Sequence, residues 1–260
     1  MDRTDADGLF PRWIAHRGAG KLAPENTLAA FELGWRLGWR AFECDVKLSA
    51  DGVPFLLHDA TLERTTNGHG AAGARTWDEL ARLDAGGWHS PAYAGEPLLR
   101  LDRLAEWALP RGAWLNLEIK PSPGTEAATG AAMARAVEAL WRAHGAGESG
   151  GPAWPLLTSF QPAALQAAQA AAPHLPLGLL LDHLWPGCWA VARGLGCVAV
   201  VLNHGLWTAA LLAEQRAAGW RTLTYTVNDA TRAEALLGWG LDGLITDRVD
   251  ALGPGQPATA

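Results

Sequence analysis

The sequence predicts an α/β fold, a (β/α)8 barrel of the TIM type, formed by a single domain that covers residues 1–260. Short apolar segments alternate with longer Ala- and Leu-rich segments along the whole chain. Strand followed by helix recurs about eight times in roughly 250 residues, which is the usual size of such a barrel. Because 49% of the residues are hydrophobic and 18% are charged, the chain can bury one large core. A doubly wound open sheet has a similar pattern and is the main alternative.

The predicted elements follow this alternation in order. The strands are predicted at 12–17, 41–48, 113–120, 154–160, 175–182, 197–203, 221–228 and 242–247. Several of the intervening segments begin with residues that commonly start helices, such as Thr27, Pro162 and Asp229. The helices are predicted at 26–38, 101–109, 125–144, 162–172, 186–194, 207–218 and 230–238. Residues 253–260 are predicted to form a frayed tail.

One segment interrupts the alternation after the second strand. Asp51-Gly52 is a turn signal, and the run VPFLLH at 53–58 predicts a further strand, so we expect a hairpin. Residues 60–100 then form a small Gly-rich insertion, which contains one short predicted helix near 76–83. A segment of that length in a compact domain is usually functional or mobile.

Charge and cysteine content argue against several classes of protein. The net charge of −6 disfavours a general nucleic-acid binder, which would normally carry a basic face. Cys44, Cys188 and Cys197 form no CxxC pair, which argues against a disulfide scaffold or a thiolate zinc site. The first residues lack the pattern of a signal peptide, and no apolar run is long enough to span a membrane. We therefore expect a cytoplasmic protein without stable membrane insertion; no feature indicates an oligomeric state.

Two predicted strands place carboxylates on the same face. Glu43 and Asp45 share one face of the second strand, and Glu118 shares a face with Lys120 on the strand at 113–120. Carboxylates inside a barrel are unfavourable without a cation, because burial removes their hydration. Three carboxylates without cysteine or clustered histidine suit Mg²⁺ or Ca²⁺. The alternative is that each carboxylate pairs with an Arg or Lys side chain.

Two histidines lie at strand ends, where the active face of a barrel forms. His16 ends the first strand and is followed by Arg17, while His58 ends the hairpin strand. Together they could divide proton removal from a nucleophile and proton delivery to a leaving group, although a single strand-end histidine is often structural. Arg17 and Lys120 offer positive charge for phosphate oxygens. The set indicates metal-assisted displacement at an anionic phosphorus centre.

Several short motifs follow one another through nearly the whole chain. They are HRG-x5-PENT (16–27), ECD (43–45), DG-x5-HD (51–59), LERTTNG (62–68), LDAGGW (83–88), LNLEIK (115–120), SF (159–160), TVN (226–228) and DGLITD (242–247). In this order they resemble the glycerophosphodiester phosphodiesterase family. The resemblance implies a TIM barrel whose 60–100 insertion lies beside the active site.

The resemblance also implies a function and roles for the site residues. It implies hydrolysis of small glycerophosphodiesters to sn-glycerol 3-phosphate and an alcohol, with a divalent cation on Glu43, Asp45 and Glu118. His16 and His58 would act as general acid and base. The family's relation to phosphatidylinositol-specific phospholipases suggests that the glycerol 2-hydroxyl of the substrate is the nucleophile, although direct attack by water stays open.

Two aromatic residues are further candidates for substrate contact. Phe160 is expected to form an apolar wall of the pocket. Tyr225 stands where the family often has Trp, and either substrate contact or core packing would explain it. Two alternatives for the whole chain are a phospholipase D of the sphingomyelinase type and a catalytically idle barrel that binds glycerophosphodiesters. The first alternative predicts an exported protein with apolar membrane loops. The second predicts that a metal-binding residue or a histidine of the site is missing.

Overall fold

The computed structural model describes residues 10–254. Most of the predicted tail at 253–260, and most of the N-terminal segment considered as a signal peptide, therefore lie outside the described residues. Each of the nine strands lies within a strand predicted from the sequence. The strands are β1 (Trp13–His16), β2 (Ala41–Leu48), β3 (Pro54–Leu56), β4 (Trp114–Ile119), β5 (Leu156–Ser159), β6 (Leu177–Leu181), β7 (Ala199–Asn203), β8 (Arg221–Tyr225) and β9 (Gly243–Thr246).

Eight of these strands form a closed parallel barrel, in the order β1-β9-β8-β7-β6-β5-β4-β2. The pairing of β1 with β2 closes the ring, with Ala15 opposite Phe42 and His16 opposite Glu43. This closure confirms the predicted barrel and excludes a doubly wound open sheet, whose edge strands would stay unpaired. The short strand β3 pairs antiparallel with the end of β2, which confirms the predicted hairpin.

The helices surround the barrel and largely match the predicted segments. They are α1 (Leu28–Arg36), α2 (Trp77–Leu80), α3 (Leu101–Ala108), α4 (Glu126–Arg142), α5 (Pro162–Ala171), α6 (Cys188–Gly194), α7 (Ala209–Ala217) and α8 (Ala230–Gly238). Helix α1 begins later than predicted because Thr27 caps it, accepting a hydrogen bond from the Ala30 amide. Within residues 10–254, no helix has the length and hydropathy that crossing a membrane would require.

The barrel interior is divided into an apolar part and a polar part. Alternate strand residues such as Ile14, Leu156, Val201, Leu223 and Ile245 form a buried apolar cluster inside the barrel. Continuing along the same strand faces toward the carboxyl ends, the inward residues become polar or charged. A larger apolar layer fills the space between the barrel and the helices. The strand period of two therefore places the charged residues above an apolar plug.

The insertion is a folded part of the domain. Its buried apolar side chains form a separate cluster beside the β2–β3 hairpin. This cluster includes Phe55, Leu57, Leu62, Leu80 and Leu98. Because the insertion has its own core, its polar side chains can be held at fixed positions, and the description of a mobile loop does not apply.

Candidate active site

The carboxyl ends of the barrel strands enclose a cavity of about 230 Å³. Eight of the nine predicted site residues line it: His16, Arg17, Glu43, His58, Glu118, Lys120, Phe160 and Tyr225. The ninth, Asp45, is buried directly beside this lining and contacts Arg17. The structure therefore brings the whole predicted set together at one end of the barrel, as the position of these residues near strand ends leads us to expect.

Three carboxylates form a buried cluster at this end. Glu43 and Asp45 lie on β2, and Glu118 lies on β4 directly opposite Asp45 in the parallel register. One oxygen from each carboxylate lies within 4.8 Å of the others. All three residues are at most 8% exposed. The strand alternation predicted this shared inward face correctly.

Two positively charged side chains neutralise part of this carboxylate cluster. Arg17 Nε lies 3.2 Å from Asp45 Oδ2. Lys120 Nζ lies 2.9 Å from Glu118 Oε1 and 3.7 Å from Asp45 Oδ1. Glu43 has no Arg or Lys side chain at ion-pair distance within residues 10–254; it accepts only a 3.4 Å hydrogen bond from the Arg17 amide and lies 3.7 Å from His16 Nε2. Pairing with Arg and Lys, the alternative to a metal site, therefore accounts for two carboxylates and not for the third.

The electrostatics of the cluster show the same imbalance. Burial would raise the pKa of Asp45, but Arg17 and Lys120 outweigh it and lower that pKa to about 2. Burial and the charges of Asp45 and Glu118 raise the pKa of Glu43 well above its usual value. Burial and Asp45 raise the pKa of Glu118 to about 7. A further positive charge is needed to hold all three carboxylates ionised, and a hard divalent cation fits three clustered carboxylate oxygens.

His16 is oriented by a carboxylate from the last strand. Its Nδ1 atom lies 2.6 Å from Asp247 Oδ1, so Nε2 is the ring nitrogen on the side of Glu43. Asn228 in turn donates from Nδ2 to Asp247 Oδ2 at 2.9 Å and accepts from the Asp247 amide. Burial would raise the pKa of Asp247, but the hydrogen bond and charge of His16, the Asn228 hydrogen bond and the Lys21 charge together outweigh burial and lower that pKa to about 2. Asp247 and Asn228 were present in the DGLITD and TVN motifs but received no role from the sequence.

His58 is oriented in the same manner by its neighbour in the chain. Its Nδ1 atom lies 2.7 Å from Asp59 Oδ1, and Asp59 is bound on its other side by Arg64. Burial and the nearby Arg17 and Lys120 charges together outweigh Asp45 and lower the pKa of His58. Both histidines therefore present a carboxylate-bound Nδ1 atom, which leaves Nε2 available for proton transfer.

The loop after β1 reaches the cluster through two unusual backbone positions. Arg17 and Asn26 adopt positive φ values of 52° and 61°. Asn26 donates from Nδ2 to Asp45 Oδ2 at 2.9 Å and accepts from the Asp45 amide at 3.2 Å. A non-glycine residue in the left-handed region of backbone conformation stores about 1–3 kcal/mol of strain, and such strain is commonly found at functional sites. Asn26 is thus an additional site residue, which the sequence placed at the start of a helix.

Phe160 and Tyr225 form an aromatic wall of the cavity. Their rings meet edge to face with centroids 5.6 Å apart. The Tyr225 hydroxyl donates to the Leu181 carbonyl at 3.1 Å, so this ring both packs on the barrel and faces the cavity. Lys120 Nζ lies 5.6 Å from the Phe160 ring centroid. The wall therefore places an apolar surface next to a positive charge.

Comparison with known proteins gives consistent matches over most of the chain. Residues 16–251 match the model of the "Glycerophosphoryl diester phosphodiesterase family". A glycerophosphodiester phosphodiesterase from Caldanaerobacter subterraneus is 30% identical over 243 residues, which cover 92% of this chain and 95% of the relative. The structure of a phosphodiesterase from Oleispira antarctica, in complex with the product sn-glycerol-3-phosphate, is 34% identical, with a TM-score of 0.84 over 92% of this chain and 93% of that one.

A further solved structure agrees with these matches. The crystal structure of a glycerophosphodiester phosphodiesterase from Agrobacterium tumefaciens is 28% identical to this chain, with a TM-score of 0.75. The match covers 92% of this chain and 97% of that one. The matches therefore cover most of the chain and are not confined to one motif.

The carboxylate cluster generates a prediction about stability. Mg²⁺ or Ca²⁺ at about 100 times its Kd should stabilise the fold by about 2.7 kcal/mol, because it binds the folded state alone. For a chain of this size that corresponds to a rise in Tm of about 5–10 °C. Differential scanning calorimetry with and without the ion should show this rise in the wild-type protein.

Substitution of Glu43 tests whether the cluster causes the effect. Glu43→Gln should abolish most of the ion-dependent rise, because it removes the carboxylate that no Arg or Lys side chain balances. The matched control is Glu234→Gln, on the exposed face of α8, which should keep the full rise. An undiminished rise in Glu43→Gln would contradict a cation site at these carboxylates.

Proposed function

The chain belongs to the glycerophosphoryl diester phosphodiesterase family, and we propose that it hydrolyses small glycerophosphodiesters to sn-glycerol 3-phosphate and an alcohol with the help of a divalent cation. The observation that carries this proposal is the cavity itself, where three buried carboxylates, two cationic side chains and two carboxylate-bound histidines meet. The product bound in the Oleispira antarctica relative is of the class expected for this chain.

In this proposal, the phosphate group of the substrate lies among the positive charges of the cavity. Glu43, Asp45 and Glu118 would hold Mg²⁺ or Ca²⁺, which when bound stabilises negative charge on phosphate oxygens. Arg17 offers a planar donor group and Lys120 a point charge to the remaining oxygens. Because both side chains already contact the carboxylates, they are held in place before substrate arrives. Little reorganisation is then needed to bind a dianionic transition state.

The two histidines are proposed to carry the protons. Asp247 holds the Nδ1 proton of His16, and Asp59 holds that of His58. Nε2 of one ring can therefore accept the proton of the nucleophile, while the other ring, when protonated, delivers a proton from Nε2 to the leaving alcohol. The bond from phosphorus to the alcohol oxygen breaks as the bond to the nucleophile forms. We propose that the nucleophile is the glycerol 2-hydroxyl, giving a cyclic phosphate that water opens in a second step.

The remaining walls suit a glycerol group. Phe160 and Tyr225 can pack against its carbon atoms. Asn116 lines the cavity, and its Nδ2 atom has no hydrogen-bond partner within residues 10–254. The Thr158 hydroxyl donates to Asn116 Oδ1 at 2.8 Å and so turns this free donor away from β5. A substrate hydroxyl is a suitable acceptor for it.

Product release tests the proposed reaction directly. The purified protein with Mg²⁺, Mn²⁺ or Ca²⁺ should release glycerol 3-phosphate from glycerophosphocholine, and excess chelator should abolish the release. An enzyme-coupled assay for glycerol 3-phosphate measures both. Release of choline phosphate instead would contradict the proposed bond cleavage, and full activity in chelator would contradict the proposed role of the cation. Binding of glycerophosphocholine without turnover would favour the catalytically idle barrel. Turnover of sphingomyelin alone would favour the phospholipase D alternative.

Loss of either histidine should slow the reaction without unfolding the protein. His16→Ala and His58→Ala should each lower kcat by at least about 10²-fold, the usual effect of removing a general acid or base. Steady-state kinetics and a thermal melt of each variant measure the two quantities. His204→Ala, at the end of β7 and outside the cavity lining, is the matched control and should keep near-normal kcat. If either variant unfolds yet keeps normal turnover per folded molecule, that histidine has a structural role only.

A deoxy substrate separates the two nucleophiles. A glycerophosphodiester whose glycerol 2-hydroxyl is replaced by hydrogen should lose at least about 10²-fold in kcat, because the held hydroxyl has a large proximity advantage. It should still bind as a competitive inhibitor. Comparable kcat values for the deoxy and natural substrates would exclude the internal nucleophile and indicate direct attack by water.

A further inference from the structure

Arg64 makes the most extensive set of ion-pair contacts beside the cavity, although it belongs to the insertion and does not line the cavity. Its Nε and Nη2 atoms donate to the two oxygens of Asp59 at 2.6 and 3.0 Å. Its Nη1 and Nη2 atoms donate to the two oxygens of Glu25 at 2.8 Å each. One guanidinium thus binds two carboxylates, each through two hydrogen bonds, although its side chain is 44% exposed.

Each of the two carboxylates holds a residue of the proposed machinery on its other side. Asp59 Oδ1 lies 2.7 Å from His58 Nδ1. Glu25 Oε1 accepts a 2.7 Å hydrogen bond from Arg17 Nη1. A single carboxylate therefore links Arg64 to His58, the proposed proton-transfer group, and another single carboxylate links it to Arg17, the proposed phosphate-binding group.

The backbone around Arg64 is fixed by the core of the insertion. Leu62 is buried in that core. The Thr66 amide and hydroxyl both donate to the Leu62 carbonyl, at 3.1 and 2.7 Å, which closes a turn around Arg64. This turn gives a structural reason for the LERTTNG motif, because the proposed reaction assigns no role to the residues of that motif.

We propose that Arg64 is a positioning residue that fixes the orientation of His58 through Asp59 and that of Arg17 through Glu25. The proposal rests on the proposed function, since it assigns consequences to the roles of His58 and Arg17. The two pairs suit arginine because its planar group offers donors on two edges, whereas a lysine ammonium cannot bind two carboxylates in this bidentate way. The Arg64 hydrogen bond and charge also lower the pKa of Asp59, so this carboxylate stays ionised as an acceptor for His58.

The two contacts predict different kinetic effects. Loss of the Asp59 contact frees the His58 ring and should lower kcat. Loss of the Glu25 contact frees the Arg17 guanidinium and should raise KM for the anionic substrate. Removal of Arg64 should do both, and residues that orient a functional group in this indirect way typically contribute about 10–100-fold to activity.

The experiment compares four substitutions with a matched control. Arg64→Ala should lower kcat and raise KM for glycerophosphocholine, with kcat/KM reduced about 10–100-fold. Asp59→Asn should act mainly on kcat, and Glu25→Gln mainly on KM. Arg64→Lys keeps the charge and should restore only part of the loss. Arg75→Ala is the control, because Arg75 is an insertion arginine of similar exposure whose ion pair, with Glu79, lies outside the cavity.

A second readout does not depend on turnover. In the wild-type protein, ¹⁵N NMR of the ring nitrogens, assigned with His58→Ala, should show His58 with its proton on Nδ1. Arg64→Ala and Arg64→Lys should shift this ring toward a mixture of tautomers, whereas Arg75→Ala should not. If Arg64→Ala does not fold, Arg64→Lys decides by the same two measurements.

The outcomes separate this inference from the proposed function. If the wild-type protein is active and the Arg64 variants keep kcat, KM and the His58 tautomer unchanged, Arg64 has no positioning role. If the wild-type protein does not hydrolyse glycerophosphodiesters, the proposed function fails, and the ring-nitrogen signals alone decide whether Arg64 orients His58. A uniform fall in Tm with unchanged kinetic constants per folded molecule would also overturn the inference, because it indicates a structural role only.

Discussion

The burial of three carboxylates at the ends of two neighbouring strands determines the rest of the active face. The parallel register of β2 and β4 places Asp45 opposite Glu118, and Glu43 lies one pleat period below on the same inward face. Carboxylates this close and this buried repel one another and lose hydration, so the surrounding loops must supply positive charge and hydrogen-bond donors. Arg17, Lys120 and the strained loop after β1 meet that requirement only in part, which leaves a site for a cation.

Most of the residues that stabilise the barrel are different from the buried carboxylates and from the residues that supply them with positive charge and hydrogen-bond donors. The apolar side chains inside the lower barrel, and the larger apolar layer beneath the helices, bury most of the core. Of the cluster inside the barrel, Leu180 and Ile245 also line the cavity. The charged residues that line or adjoin the cavity lie on β2, at the end of β4 and in the loops that follow the strands. In that region the low dielectric strengthens every charge interaction, whether it holds the site together or binds substrate. Most of the buried charge therefore lies where it can bind a cation and substrate.

Strand alternation and the order of strands and helices could be predicted from the sequence, because they depend on residues close together in the chain. The strand period alone placed Glu43 and Asp45 on one face of their strand and Glu118 on one face of the next, because alternation does not depend on what the strand packs against. The contacts between loops could not be predicted in this way. Asp247 meets His16 across 231 residues, and Arg64 meets Glu25 across 39, and no periodicity in loops encodes either meeting. The sequence placed Asn26 at the start of a helix, and it could not show the left-handed backbone of this residue, because that backbone is stabilised by Asp45, a contact distant in sequence.

Each of the two histidines is oriented by a carboxylate at Nδ1, but the two carboxylates are held by different parts of the fold. The carboxylate that holds His16 stands directly after β9 and is fixed by Asn228 after β8, so its position depends on the pairing of β9 with β1 and β8. The carboxylate that holds His58 is fixed by Arg64, so its position depends on the small core of the insertion. A barrel needs its strands in order to fold, whereas the insertion adds its own cluster beside one hairpin. The orientation of His16 thus depends on the barrel strands, and that of His58 depends on the packing of the insertion.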